Sequence, residues 1–353
     1  LRDAAAAVTM KSGQIMTMLE VLPNFYAGID VGGTKVAIAD TLSTSILRYS
    51  TADFSDMESL LEDYFQQRSG RPKHVVIGMA GPRDDEDGSV KGTNFSWPTF
   101  YPQQASQQYP GTAITTTNDM VITAAGIISD SSIDFALLKS GIAKTNGPKL
   151  TVALSTGIGV ASALWDEKYQ RYFFAASEGG HIGVQPKTEL EHAYIRYLQA
   201  KTAHVSAEQG LSGRHGIENL INHALDAQKT PKLAAEVAKA KRANNPVGVV
   251  LRDNALYGEP ADKAAAQQIL NLLGGLTGSL LRDLALVSKA TGGIYLTGSM
   301  ALGLGEYLAE HTALIEQFVG QGAAHADWLQ NIPIYLVTDP DVATKGALLL
   351  AQS

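Results

Sequence analysis

Cysteine is absent from the 353 residues. Disulfides are therefore excluded, as is any zinc site built on thiolates; the composition fits a reducing compartment. There is no basic excess either. Lys and Arg number 28 against 35 Asp and Glu, a formal charge of −7, so the chain lacks the electrostatic footprint of a nucleic-acid binder. No apolar run reaches about 18 residues, and no membrane-crossing helix is expected. The eight histidines are scattered, without an H-E-x-x-H pair, which speaks against a helical metal site. No short tandem repeat indicates a solenoid. Ahead of the first clear strand, residues 1–24 hold only the short apolar stretch Ala4–Val8, too short for a signal core. They read as an extension, partly helical, without chemistry of its own.

What is present is ordinary core material, with 45% hydrophobic and 18% charged residues, over a length that suggests about two domains. Strand-like and helix-like segments alternate, which favours α/β layers. "FYAGID" and "KVAIAD" flank a glycine turn, and "HVVIGMAG" (74–81) and "TAITTTND" (112–119) are further strands. "SDMESLLEDYFQQR" (55–68) has helical apolar spacing with Ser55 as its N-cap. "KLTVALSTGIGVASALW" (149–165) again places a glycine turn between two strands. A helical region follows from 188 to 290, with 233–246 reading as a solvated helix and loop. "GGIYLTGSM" and "IPIYLVT" are late strands, and "VATKGALLLAQ" closes the chain as a helix. The strand–glycine-turn–strand unit thus occurs twice, at 26–39 and 151–165.

The turn in "GIDVGGTKVA" (28–37) fits neither G-x-x-x-x-G-K-[ST] nor G-x-G-x-x-G, since both need a helix next and a strand follows. It reads as a hairpin whose glycines let backbone N–H groups approach an anion, with Asp30 facing a magnesium ion through water. An ordinary hairpin with a turn-stabilising Asp is the competing explanation. "LSTGIGVA" (154–161) and "LTGSM" (296–300) repeat the arrangement, and three such turns in order point to a common role. Asn118-Asp119 stand at a strand end, where α/β folds gather ligands. A carboxylate there can take a proton from an alcohol, or one of the pair can simply cap the following helix. In "AASEGGHIG" (175–183), Glu178 and His181 flank two glycines. They suit the hydroxyls of a sugar, with the glycines letting the loop touch the ring; a structural His181 is the alternative. Glu208 in "HVSAEQGLSG" reads locally as a solvated helix residue.

The motifs "DVGGTK", "GTNFSW", "TNDM", "LSTGIGV", "EGGH", "HVSAEQGLSG" and "LTGSM", in this order over 26–350, resemble those of bacterial-type glucokinases, the non-ROK group of the actin/hexokinase-like ATPase superfamily. "EGGH" followed by "HVSAE" and "LSG" is the more specific part. The resemblance implies an α/β, two-domain actin-like ATPase (ribonuclease H-like) fold, with duplicated mixed β-sheet cores and a cleft between the domains. A small domain of 25–125, completed by the helix at 339–353, would face a large domain of 126–338. The implied reaction is phosphoryl transfer from ATP with Mg²⁺ to glucose. Asp119 would be the general base on the 6-hydroxyl, and Asn94, Asn118, Glu178, His181 and Glu208 would hold the sugar with it. Gly32, Gly33, Thr34, Lys35, Thr156 and Gly157 would surround the phosphates, Asp30 would assist the magnesium ion, and Gly298 would lie near the adenosine. A cytoplasmic homodimer, free of membrane and nucleic acid, is implied as well.

The sequence departs from the family pattern at Ser155, where glycine is commoner, and at Gly298-Ser299 in place of Gly-Gly. Each adds a side chain near the nucleotide and leaves polyphosphate open as the donor. ROK sugar kinases carry a cysteine-containing zinc motif, which this chain lacks. The rival readings are a kinase for another hexose or an amino sugar, and a non-catalytic sugar-sensing protein. Regulators of the latter kind carry a helix-turn-helix ahead of "DVGGTK", and the segment here is too short for one.

Overall fold

The computed structural model describes residues 24–353 except positions 69, 94, 227 and 244. The expectations for residues 1–23 and for Asn94 lie outside the described residues. Two mixed sheets organise the chain. The first contains β1 (Tyr26–Val31), β2 (Lys35–Asp40), β3 (Ser43–Ser50), β4 (His74–Met79) and β5 (Ala113–Asn118), in the order β3-β2-β1-β4-β5. Strands β1 to β3 form an antiparallel meander, and β4 and β5 run parallel to β1. The second contains β6 (Phe135–Lys139), β7 (Lys149–Leu154), β8 (Ile158–Asp166), β9 (Arg171–Ser177), β10 (Ile294–Thr297) and β11 (Ile334–Val337), in the order β6-β11-β10-β7-β8-β9. Here β7 to β9 form the meander, β10 and β11 are parallel to β7, and β6 extends the edge antiparallel. One plan is used twice, and a glycine turn joins the first two strands of each meander.

Helices cover the sheets. In the first half they are α1 (Met57–Gln66), α2 (Pro102–Gln108) and α3 (Asp119–Ser129). Between β9 and β10 run α4 (Glu189–Gln199), α5 (Ala207–Leu211), α6 (His215–Ala224), α7 (Pro231–Arg242), α8 (Val247–Tyr257) and α9 (Pro260–Ser288). The rest are α10 (Ser299–Leu304), α11 (Tyr307–Glu310), α12 (Leu314–Val319), α13 (Ala326–Gln330) and α14 (Val342–Gln352). Two local expectations need correction. The N-cap of α1 is Asp56, which accepts the Ser59 N–H at 2.7 Å, while Ser55 donates to Asp56 from outside the helix. The charged stretch 233–246 is not solvated all round, because Leu233, Val237 and Ala240 of α7 are buried. A third expectation needs qualification. Helix α9 is long and apolar enough to cross a membrane by length and composition, yet Leu270, Leu273, Leu276 and Leu280 are buried in the core of the larger half. Hydrophobic burial within the protein accounts for that composition.

Helix α3 is the joint between the halves. On one side Ile122 packs with Val76 of β4 and Ala347 of α14; on the other Met120 and Ala124 pack with Ala161 of β8. Glycines allow this closeness. A Cβ at Gly346 would lie 1.8 Å from the Ile122 carbonyl oxygen, and one at Gly126 would lie 2.0 Å from that of Val342. The last helix of the chain thereby returns to β1, where a Cβ at Gly28 would meet the Leu348 backbone.

Candidate active site

Asp119 begins α3 directly after β5, at the carboxyl end of a parallel strand. The capping question is settled by geometry: Asn118 Oδ1 accepts the Met120 N–H at 2.8 Å. Asp119 Oδ1 receives the same N–H at 3.0 Å, which leaves Oδ2 without a protein donor among the described residues. Burial pushes the Asp119 pKa up, and Glu178 pushes the same way against the lowering effect of backbone N–H groups. Asp30, in β1, is raised to about 7, first by burial and then by the Asp119 charge. Asp30 on β1 therefore feels the charge of Asp119, which follows β5 on the far side of β4, and Asp119 feels Glu178 from the other half.

Glu178 and His181 bracket a single 3-10 turn, Gly179–His181. His181 Nε2 lies 3.8 Å from Glu178 Oε2, with side chains 60% and 90% exposed. Both side chains are open to solvent. Beside the contact with a sugar expected of them, the glycines have a role within the fold. Both are buried, and a Cβ at Gly180 would lie 2.1 Å from the Ile158 carbonyl oxygen. They let the loop lie on β8, so the close approach is to the protein's own backbone.

Glu208 is not a solvated helix residue. It sits in the first turn of α5, and its Oε2 accepts the Ile158 N–H at 3.3 Å, beside Gly157. That leaves Oε1 for another partner. At the first glycine turn the Gly32 N–H donates to the Lys35 carbonyl, and Thr51 Oγ1 donates to that of Gly32. Thr34 and Lys35 are exposed. At the second, the Gly213 N–H donates to the Ser155 carbonyl at 2.7 Å and the Arg214 N–H to that of Thr156 at 3.2 Å. Among the described residues, the N–H groups of Gly33, Thr34, Thr156 and Gly157 have no acceptor. At the third, Gly298 has φ +97°, and a Cβ there would lie 2.5 Å from the Leu154 carbonyl oxygen. Only glycine permits that conformation at that distance.

A cavity of about 560 Å³ opens beside the second and third turns, lined among others by Thr156, Arg214, Ile217, Lys241, Val247 and Met300. Its lining joins the apolar Ile217, Val247 and Met300 to the polar or charged Thr156, Arg214, Glu218, Lys241 and Asn245, a set that suits the ring and the charged groups of a nucleotide. The sequence reading missed Arg214 and Lys241. The first directly follows "LSG", which was singled out; nothing local marks the second. The site thus offers three kinds of group: an acid pair, an exposed Glu–His pair, and turns with acceptor-free N–H groups, the second of which borders the cavity.

The architecture is the two-domain actin-like ATPase fold, and it is shared with solved sugar kinases. A glucokinase from an Antarctic psychrotroph superposes with a TM-score of 0.73 at 22% identity, covering 93% of this chain and 99% of that one. A ROK family glucokinase from Streptomyces griseus, solved with glucose and AMPPNP, gives a TM-score of 0.59 at 20% identity, covering 93% and 99%. In sequence, the glucokinase of Psychromonas ingrahamii is 29% identical over 323 residues, 90% of this chain and 94% of its own. A family model described as Glucokinase matches residues 28–353, and the chain belongs to the glucokinase family.

Proposed function

We infer that the chain is a glucokinase, transferring the γ-phosphate of ATP to the 6-hydroxyl of D-glucose to give glucose 6-phosphate and ADP. Family membership over residues 28–353 supports the activity. The observation that carries the mechanism is the position of Asp119, at a strand end between Asp30 and Glu178. Phosphoryl transfer is mostly positioning and charge neutralisation. Asp119 Oδ2 accepts the proton of the 6-hydroxyl as that oxygen attacks phosphorus, while Oδ1 stays fixed by the Met120 N–H. Glu178 accepts hydrogen bonds from sugar hydroxyls, His181 donates or accepts, and Asn118 and Glu208 Oε1 complete the grip. The free N–H groups at Gly33, Thr34, Thr156 and Gly157 hold phosphate oxygens, Gly32 and Lys35 shape the same surface, and Gly298 lies near the adenosine. Asn94 is proposed for the sugar from its place in "GTNFSW" alone.

Magnesium fits this chemistry. No group of three or more His, Cys, Asp or Glu residues forms a metal cluster among the described residues. One raised carboxylate, Asp30, stands beside the site. Such a set suits an ion held chiefly by phosphates and water, which would neutralise charge on the transferring group. Asp30 would hold it through water. We divide the chain into a small domain of 25–125 completed by 339–353 and a large domain of 126–338, working in the cytoplasm as a homodimer; light scattering tests the last point. The reaction itself is tested by assaying glucose 6-phosphate formation with ATP-Mg²⁺, beside mannose, fructose, N-acetylglucosamine and polyphosphate. Glucose-selective, ATP-dependent turnover is expected. Preference for another sugar or for polyphosphate would replace the substrate assignment, and glucose binding without turnover would make the protein a sensor.

A further inference from the structure

The two positions where the sequence departs from the family pattern touch each other. Ser155 Oγ lies 3.0 Å from Ser299 Oγ, and the Ser299 N–H donates to Ser155 Oγ at 3.3 Å. The close packing that brings them together comes from Gly298, whose φ of +97° lets the third turn rest on the Leu154 backbone. Both serines line the cavity of about 560 Å³ together with Thr156.

Counting protons gives the pair a defined capacity. Each hydroxyl carries one proton and two lone pairs. One proton is used between the two oxygens, whichever serine donates it. The other has no acceptor among the described residues. The pair therefore always has one O–H left, at a cavity wall beside the acceptor-free N–H groups of Thr156 and Gly157.

We propose that Ser155 and Ser299 act as one hydroxyl donor to a phosphate oxygen of the bound nucleotide, so that these side chains supply a phosphate contact where paired glycines would offer only backbone. The inference rests on the nucleotide reading of the cavity. It has a distinctive consequence. Removing either serine leaves the other hydroxyl with a free proton, so one can replace the other. Removing both leaves none. A mere brace between the turns behaves in the opposite way, because the first substitution already breaks it.

The test is calorimetric titration of ADP-Mg²⁺ and AMPPNP-Mg²⁺ into the wild-type chain, S155A, S299A and S155A/S299A, with thermal unfolding and glucose binding as fold controls. Each single variant is expected to bind nucleotide within about threefold of wild type. The double variant should bind about tenfold or more weakly, the loss expected for a hydrogen bond to a charged group. Singles that already lose as much as the double would show a brace and overturn the proposal, as would unchanged affinity in all three. Absence of nucleotide binding to the wild-type chain would instead remove the nucleotide reading itself. Should the alanine double fail to fold, S155G/S299G provides the same comparison with the backbone of the glycine pattern.

Discussion

Asp119 and Asp30 are both carboxylates made reluctant to ionise, Asp119 by burial and the Glu178 charge, Asp30 by burial and the Asp119 charge. For Asp119 as the proposed base, this would set the acid limb of the rate profile. The base works only when deprotonated, so kcat/KM for glucose should fall as pH falls through a pKa above the ordinary carboxylate range, near 3.9. A limb at or below that value in a pH–rate series would contradict the assignment. For Asp30 the consequence is stability. A folded pKa of about 7 lies above the unfolded value of roughly 3.9. The folded state therefore binds the extra proton between these values, and stability is lost as pH rises towards and through 7. Asp30→Asn should thus stabilise the ligand-free protein at pH 8 by roughly 2–4 kcal/mol, with the gain vanishing near pH 4. Equal urea midpoints for the two proteins at pH 8 would show that Asp30 pays no such electrostatic cost.

At the scale of elements, α3 carries the proposed base, Asp119, and is held by backbone contacts that only glycine permits. Gly346→Ala would drive a methyl to 1.8 Å from the Ile122 carbonyl oxygen. A loss of about 1–3 kcal/mol is expected from overpacking, read by denaturant unfolding, together with a lower kcat because the start of α3 shifts. Gly180→Ala should raise KM for glucose, by lifting the Glu178–His181 turn off Ile158; an unchanged KM would mean that this turn does not bind the sugar. Much of this framework was legible in the sequence. Strands β1, β4, β7, β10 and β11 are apolar runs with mostly buried residues, ended by glycine or another turn signal. Strand β3, "STSILRYS", escaped because it is an edge strand with every residue at least partly exposed; β6 and β9 are edges for which the sequence carries equally little apolar alternation. The candidate site residues were picked out through their turns and order. What stayed hidden were contacts made across the fold. Glu208 reads as solvated until α5 brings it to the Ile158 N–H, and Ser155 and Ser299 are 144 positions apart.

At the scale of the whole molecule, the proposed base belongs to the element that joins the two sheets, the turns proposed for phosphate lie on both, and the Glu–His pair lies on the second. Approach of the halves about α3 would bring acceptor and donor together and exclude water, which limits hydrolysis of ATP. ATP cleavage without sugar should therefore be slow compared with glucose phosphorylation, and comparable rates would mean that the cleft does not gate the chemistry. The most direct test of the central claim is the rate of glucose 6-phosphate formation by the wild-type chain and by Asp119→Asn, with ATP-Mg²⁺ at saturating glucose. Asparagine keeps the shape and the cap geometry but cannot take the proton, and general-base catalysis contributes about 10²–10⁴ in rate. A fall of that size with glucose binding retained is the predicted result. Wild-type turnover in Asp119→Asn would contradict it.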